Sequence, residues 1–159
     1  MMNNVRRVTQ RFFVKFASMA LMSALVLAPT VQTAHAQRRV HSKGELVVRG
    51  TWKYDLDLGV QTNAGADLFW EQATDVKRSL VPQNGASFFV VGIRDFESVT
   101  LRDLERFPYS SARINGSNLP SNQIPHGTVV AYKTNEGRLG KFVVDEYGYN
   151  LKIHWITFE

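Results

Sequence analysis

From Glu45 to Asp57 the chain alternates with a period of two. Leu46, Val48, Trp52, Tyr54 and Leu56 fall on even positions, and Glu45, Arg49, Thr51, Lys53, Asp55 and Asp57 fall on odd ones. Successive side chains of an extended chain point to opposite faces, so the pattern predicts a long strand with its even side chains buried and its odd ones in water. Gly50 interrupts the apolar face and marks the expected place of a bulge or bend.

Further strands come after it. Asp67–Glu71 is a short one, and a connection leads from it to Pro82-Gln-Asn-Gly85. Ser87–Ile93 is a continuous apolar run rich in β-branched and aromatic residues, which predicts a strand covered on both faces. Leu101–Phe107 reads as a helix of about two turns, with Thr100 as its cap, Asp103 completing a capping box and Pro108 ending it. Residues 110–127 form a long turn-rich loop. Three strands then succeed one another with short connections: Thr128–Thr134, Leu139–Tyr147 and Leu151–Phe158. They are joined at Asn135-Glu-Gly137 and Gly148-Tyr-Asn150, and such short loops imply antiparallel neighbours. About six strands and one short helix near 101–107 predict an all-β sandwich or partly open barrel. A shallow α+β arrangement is the alternative.

The N-terminus is of another kind. Arg6, Arg7, Arg11 and Lys15 precede an apolar stretch from Phe16 to Val31, and Ala34-His35-Ala36 comes next. A basic start, an apolar centre shorter than a membrane span and a small-x-small site are the parts of a cleavable secretory signal. The expected organisation is therefore a signal peptide over 1–36, a flexible terminus over 37–43 and a single domain over 44–159. Cleavage after Ala36 would leave a periplasmic or extracellular protein with no membrane anchor. Val8-Thr9-Gln10 does not continue a twin-arginine signal, so the general secretion route is expected.

Removal of that segment changes the charge balance. The 19 Lys and Arg against 14 Asp and Glu become 15 against 14 over residues 37–159. A nucleic-acid binder needs a concentrated basic face, so nucleic acid is excluded as a partner. The chain has no cysteine, which removes thiol nucleophiles and disulfides from consideration.

Three groups of residues carry possible chemistry. His126 lies between Pro125 and Gly127 in the long loop, and with a carboxylate it would supply the working pair of a small hydrolase. His41 and His154 have blander settings, in the terminus and on a polar strand face. Asp55 and Asp57 resemble the start of a calcium loop, but Gly59 stands where a third ligand is needed. A looser site would need Asn63 or Asp67. Asp55 with Asp57, or Asp67 with Glu71, also gives same-face carboxylate pairs, a spacing common on solvated strands. Trp52, Tyr54, Trp70, Tyr109, Tyr132, Tyr147, Tyr149 and Trp155 could supply a stacking platform for sugars or peptides, but Trp52, Tyr54 and Trp155 share faces with apolar residues and read as core, whereas Tyr149 in its turn reads as exposed. Asn115-Gly-Ser117 matches a glycosylation acceptor but reads as a turn.

No nucleophile elbow or zinc-protease motif is present, and no cofactor is expected. These features predict a non-enzymatic binding module whose partner is a protein, a cell-envelope glycan or a small ligand. Its expected contacts are Asn115, Asn118, Asn122, His126 and Tyr149. The alternatives are the His126 hydrolase and a domain stabilised by calcium at Asp55 and Asp57.

Overall fold

A computed structural model describes residues 39–159. The expected signal segment and its cleavage site after Ala36 lie outside the described residues, as do residues 37–38.

The domain is a sandwich of two antiparallel five-stranded sheets. The first holds β1 (Val40–Val48), β6 (Ser87–Ile93), β8 (Thr128–Lys133), β9 (Leu139–Glu146) and β10 (Leu151–Phe158), in the order β1-β10-β9-β8-β6. The second holds β2 (Lys53–Asp55), β3 (Val60–Gln61), β4 (Leu68–Gln72), β5 (Arg78–Pro82) and β7 (Ile114–Asn115), in the order β3-β2-β4-β5-β7. The sandwich expectation holds. The expected meander of the last three strands is the β8–β9–β10 part of the first sheet, and Gly137 turns its first hairpin with a φ of 86°. Among the described residues no helix is long and apolar enough to cross a membrane.

The alternation over 45–57 divides between two strands rather than one. β1 belongs to the first sheet and β2 to the second. The chain crosses over at Gly50–Thr51, where Thr51 adopts a φ of 69°. The parity holds for Val48, Tyr54 and Leu56, which are buried, and fails for Trp52, which is 43% exposed beside the crossover. It fails in the other sense at Asp55 and Asp57, which are buried. β2 ends at Asp55, so a strand's two-face rule does not govern the turn beyond it. β1 also begins earlier than expected. Residues 40–43 pair with the end of β10, Val40 standing opposite Phe158, because that long final strand supplies partners for them.

Two apolar layers result from this arrangement. Tyr54, Leu56, Trp70, Leu80, Tyr132, Phe142, Ile153 and Trp155 fill the space between the sheets. On the outer face of the first sheet lies a second cluster, Val99, Leu104, Val129, Ala131 and Val143. It is covered by the segment 96–109, with Phe107 stacked on Phe89 at 4.7 Å. That cover explains the unbroken apolar run of β6, whose two faces both meet protein. The helix is shorter than expected, a 3-10 turn over Phe96–Ser98 and then α1 (Leu101–Leu104). Its capping box is present: the Thr100 hydroxyl takes the N–H of Asp103, and the Asp103 carboxylate takes the N–H of Thr100. Buried Lys141 ties the segment down by donating from Nζ to the carbonyls of Phe96 (2.5 Å) and Val99 (2.8 Å).

Candidate metal centre

The turn that leaves β2 carries two acids, and its backbone is pinned between them. The carbonyl of Leu56 accepts from Trp155 Nε1 (3.0 Å), Thr157 Oγ1 (2.9 Å) and Ser42 Oγ (3.0 Å), all from the first sheet. Asp55 Oδ1 accepts the N–H groups of Asp57 (2.8 Å) and Leu58 (2.9 Å), which closes the turn tightly. Asp67 enters β4 alongside. Its Oδ2 accepts from Leu56 N–H at 2.7 Å and its Oδ1 from Asn135 N–H at 2.8 Å. One carboxylate thus holds the turn of the second sheet to the β8–β9 hairpin of the first.

Asp55, Asp57 and Asp67 are 5%, 4% and 0% exposed. Each offers one oxygen within 4.8 Å of the others. Arg138 donates to Asp57 Oδ2 at 2.9 Å. The remaining oxygen, Asp57 Oδ1, is buried and has no hydrogen-bond partner, and neither has the buried Oδ1 of Asn135. Asn135 is held in place by its Nδ2, which donates to the carbonyl of Gly65 at 3.1 Å.

The electrostatics reflect this crowding. Burial pushes the Asp67 carboxyl up to about 6 against the two N–H groups that favour its charge, and the nearby Asp57 and Asp55 carboxylates add to the rise. On the exposed tip of the hairpin, Glu136 is pushed up to about 7, chiefly because its protonated form can donate a hydrogen bond to Asp57 and secondarily by burial. The cluster holds more negative charge than Arg138 offsets, and its acids compete for protons. A hard cation would meet the same need. Calcium binds six to eight oxygens at about 2.3–2.6 Å, so ligands on opposite sides of it stand about 4.6–5.2 Å apart. The three acids each place one oxygen within 4.8 Å of the others, close enough for all three to reach one such ion. Magnesium demands near-ideal octahedral geometry at about 2.0–2.1 Å and gives up its waters reluctantly, so a set of three protein carboxylates suits it less. Asp55, Asp57 and Asp67 would be the charged ligands, with Asn135 Oδ1 and Glu136 at hand.

Of the residues singled out in the sequence, Asp55, Asp57 and Asp67 are brought together, while Asn63 stands exposed in the intervening loop. Asn135, Glu136 and Arg138 carry no sequence signal of a site. They arrive from a hairpin about eighty positions away, and a turn sequence reveals only the turn.

The histidines lie elsewhere. His126 Nδ1 sits 2.6 Å from the main-chain carbonyl of Asp145, so its partner is a carbonyl and not a carboxylate. The carboxylate of Asp145 instead pairs with His154 Nδ1 at 2.9 Å, and Phe96 packs on that imidazole in a T-shaped contact, ring centres 4.5 Å apart. His154 borders an open groove of about 490 Å³ with Lys43, Phe96, Glu97 and Ile156. His41 is exposed on β1.

The loop asparagines are largely engaged in the loop itself. Asn115 Oδ1 accepts Ser117 N–H and its Nδ2 donates to Ser121, while Asn122 Oδ1 accepts Ile124 N–H. Asn118 is exposed, and its N–H donates to the carbonyl of Val76. Tyr149 is 58% exposed on its turn. Glu71 pairs with Arg113 at 2.7 Å, away from Asp67.

Comparison with protein-family models, with curated proteins and with solved structures finds no match for this chain.

Proposed function

We propose that this chain is an exported, non-enzymatic β-sandwich binding domain whose fold is stabilised by a divalent cation of the calcium type, held by Asp55, Asp57 and Asp67. The observation that carries the reading is the burial of three carboxylates within 4.8 Å of one another, with one guanidinium bonded to them and Asp57 Oδ1 unpaired. Buried like charges repel and lose hydration, and a cation offsets both costs at once.

The placement suits a structural role. The acids lie where the turn after β2 meets the β8–β9 hairpin, so an ion held by them that also takes Asn135 Oδ1 would cross-link the two sheets at one end. The basic, apolar and small-x-small features of residues 1–36 support export. Outside the cytoplasm, calcium modules work with dissociation constants of about 0.1–1 mM.

Thermal melts in 10 mM calcium, in 10 mM magnesium and in chelator test the reading. Calcium at roughly 10–100 times its dissociation constant stabilises by about 1.4–2.7 kcal/mol. For a domain of this size that raises Tm by about 6–11 °C. Magnesium should do less, and Asp57→Asn should abolish the calcium response. A wild-type Tm that is equal in calcium and in chelator would overturn the proposal.

A further inference from the structure

The opposite end of the sandwich brings four separate segments together. β9 starts beside Arg138 at the acidic end and finishes beside Tyr147 at this one. Here Gly50 N–H donates to Asn150 Oδ1 at 3.1 Å, and Trp70 Nε1 donates to the carbonyl of Tyr149 at 2.9 Å. Tyr147 donates its hydroxyl to the carbonyl of Gly116 at 2.7 Å, and Gly116 N–H donates to the carbonyl of Arg78 at 3.0 Å.

Two large rings stand out from this end. Tyr149 lies against the bare backbone of Gly50, where a Cβ would stand 2.9 Å from its Cε1 and Cζ and 2.9 Å from Gln72 Cγ. Trp52 is carried out by a bulge. Thr51 N–H donates to the Trp70 carbonyl and Trp70 N–H to the Trp52 carbonyl, so two residues oppose one. The bulge needs Thr51 at a φ of 69°, which a β-branched residue rarely adopts and which concentrates at functional sites.

The polar groups here have a common character. Among the described residues, six buried side-chain polar atoms lack a partner. Two of them, the oxygens of Asp57 and Asn135, belong to the acidic end. Three belong to this end, and all can donate: Gln72 Nε2, Arg78 Nε and Ser117 Oγ. Gln72 and Arg78 face each other across the β4–β5 ladder, and the Arg78 guanidinium lies 5.6 Å over the Tyr147 ring.

We propose that this end binds a glycan. The C–H faces of sugar rings would stack on Tyr149 and Trp52, and hydroxyl or acetamido oxygens would accept from Gln72, Arg78 and Ser117 once these side chains turn toward the surface. A peptide fits less well, because its backbone N–H groups can only donate and need acceptors, while two of the three unpaired groups here, Gln72 Nε2 and Arg78 Nε, are themselves donors only. A glycan gives the binding role proposed above its ligand class, and rests on that reading. It does not depend on the cation, whose site is at the other end.

Titration of the purified chain by calorimetry and tryptophan fluorescence tests it, with the tetramer of N-acetylglucosamine, cellotetraose and tetra-alanine as probes. Saturable binding of a sugar tetramer is expected, weakened about two- to tenfold by Tyr149→Ala and by Trp52→Ala, the range that a lost aromatic contact typically costs. Both variants remove exposed rings, so their calcium-dependent rise in Tm should match wild type. That readout separates failure of this proposal from failure of the cation site. Gln72→Met, checked for an unchanged melt, should weaken binding as well. No saturable binding of either sugar up to about 10 mM would overturn the inference. So would sugar affinity unchanged in both aromatic variants, or a preference for the peptide.

Discussion

The carboxylate cluster predicts an unusual dependence of stability on pH. Asp67 titrates at about 6 in the folded protein and near 3.8 when unfolded. A carboxyl whose folded pKa is raised contributes its stability below the unfolded pKa and loses it as pH rises through the folded pKa. Without metal, the protein should therefore weaken between about pH 4 and pH 7. The shift from 3.8 to about 6 is worth roughly 3 kcal/mol at most, at about 1.36 kcal/mol per pH unit. That corresponds to about 10 °C in Tm for a domain of this size. Glu136, also raised, adds in the same direction. The assay is a series of melts in chelator from pH 4.5 to 8, on wild type and on Asp67→Asn. The variant is less stable at every pH, because one amide oxygen cannot replace the two carboxylate oxygens that accept from Leu56 and Asn135. An unpaired buried N–H costs about 1–3 kcal/mol. The informative quantity is therefore the slope, and subtracting the variant's curve removes the histidines and the other acids. Calcium should flatten the wild-type slope, because it favours the ionised acids. A difference curve that is flat, or that rises with pH, would refute the claim that Asp67 is buried among like charges.

Local geometry sets three further outcomes. Thr51→Gly should stabilise by up to about 1 kcal/mol in urea denaturation, since glycine adopts a φ of 69° without strain. Gly116→Ala should destabilise by about 1–3 kcal/mol, because its Cβ would stand 2.6 Å from the buried Trp70 ring; a Tm within a degree of wild type would contradict that packing. Thr100→Ala removes the helix cap and should cost about 1 kcal/mol by the same measurement, with no change in the calcium response.

Much of the fold is legible in the sequence because its signals are local. The β8–β9–β10 meander announces itself through short turns, and α1 through Thr100 and Asp103, although the helix stops at Leu104. β5 reads from sequence as part of a connection. Arg78-Ser-Leu-Val-Pro82 is too short and too mixed to mark a strand, and it becomes one because β4 on one side and β7 on the other offer it a ladder. Parity assigns Trp52 to the core, but parity says nothing once a bulge intervenes. The same rule reads Asp55 and Asp57 as wet, when Asp55 at the end of β2 and Asp57 in the turn after it are both buried.

The order of residues alone determined that this chain forms antiparallel strands, because a period of two and turn-forming loops act over a few positions. It also determined a near-even charge balance over residues 37–159, 15 Lys and Arg against 14 Asp and Glu. Only the tertiary structure decided which faces are dry and which acids meet. Asp67 reaches Asn135 across 68 positions, and Tyr149 reaches Gly50 across about a hundred. Such encounters depend on how two sheets stack, a property of the whole packed core that no short window of sequence contains.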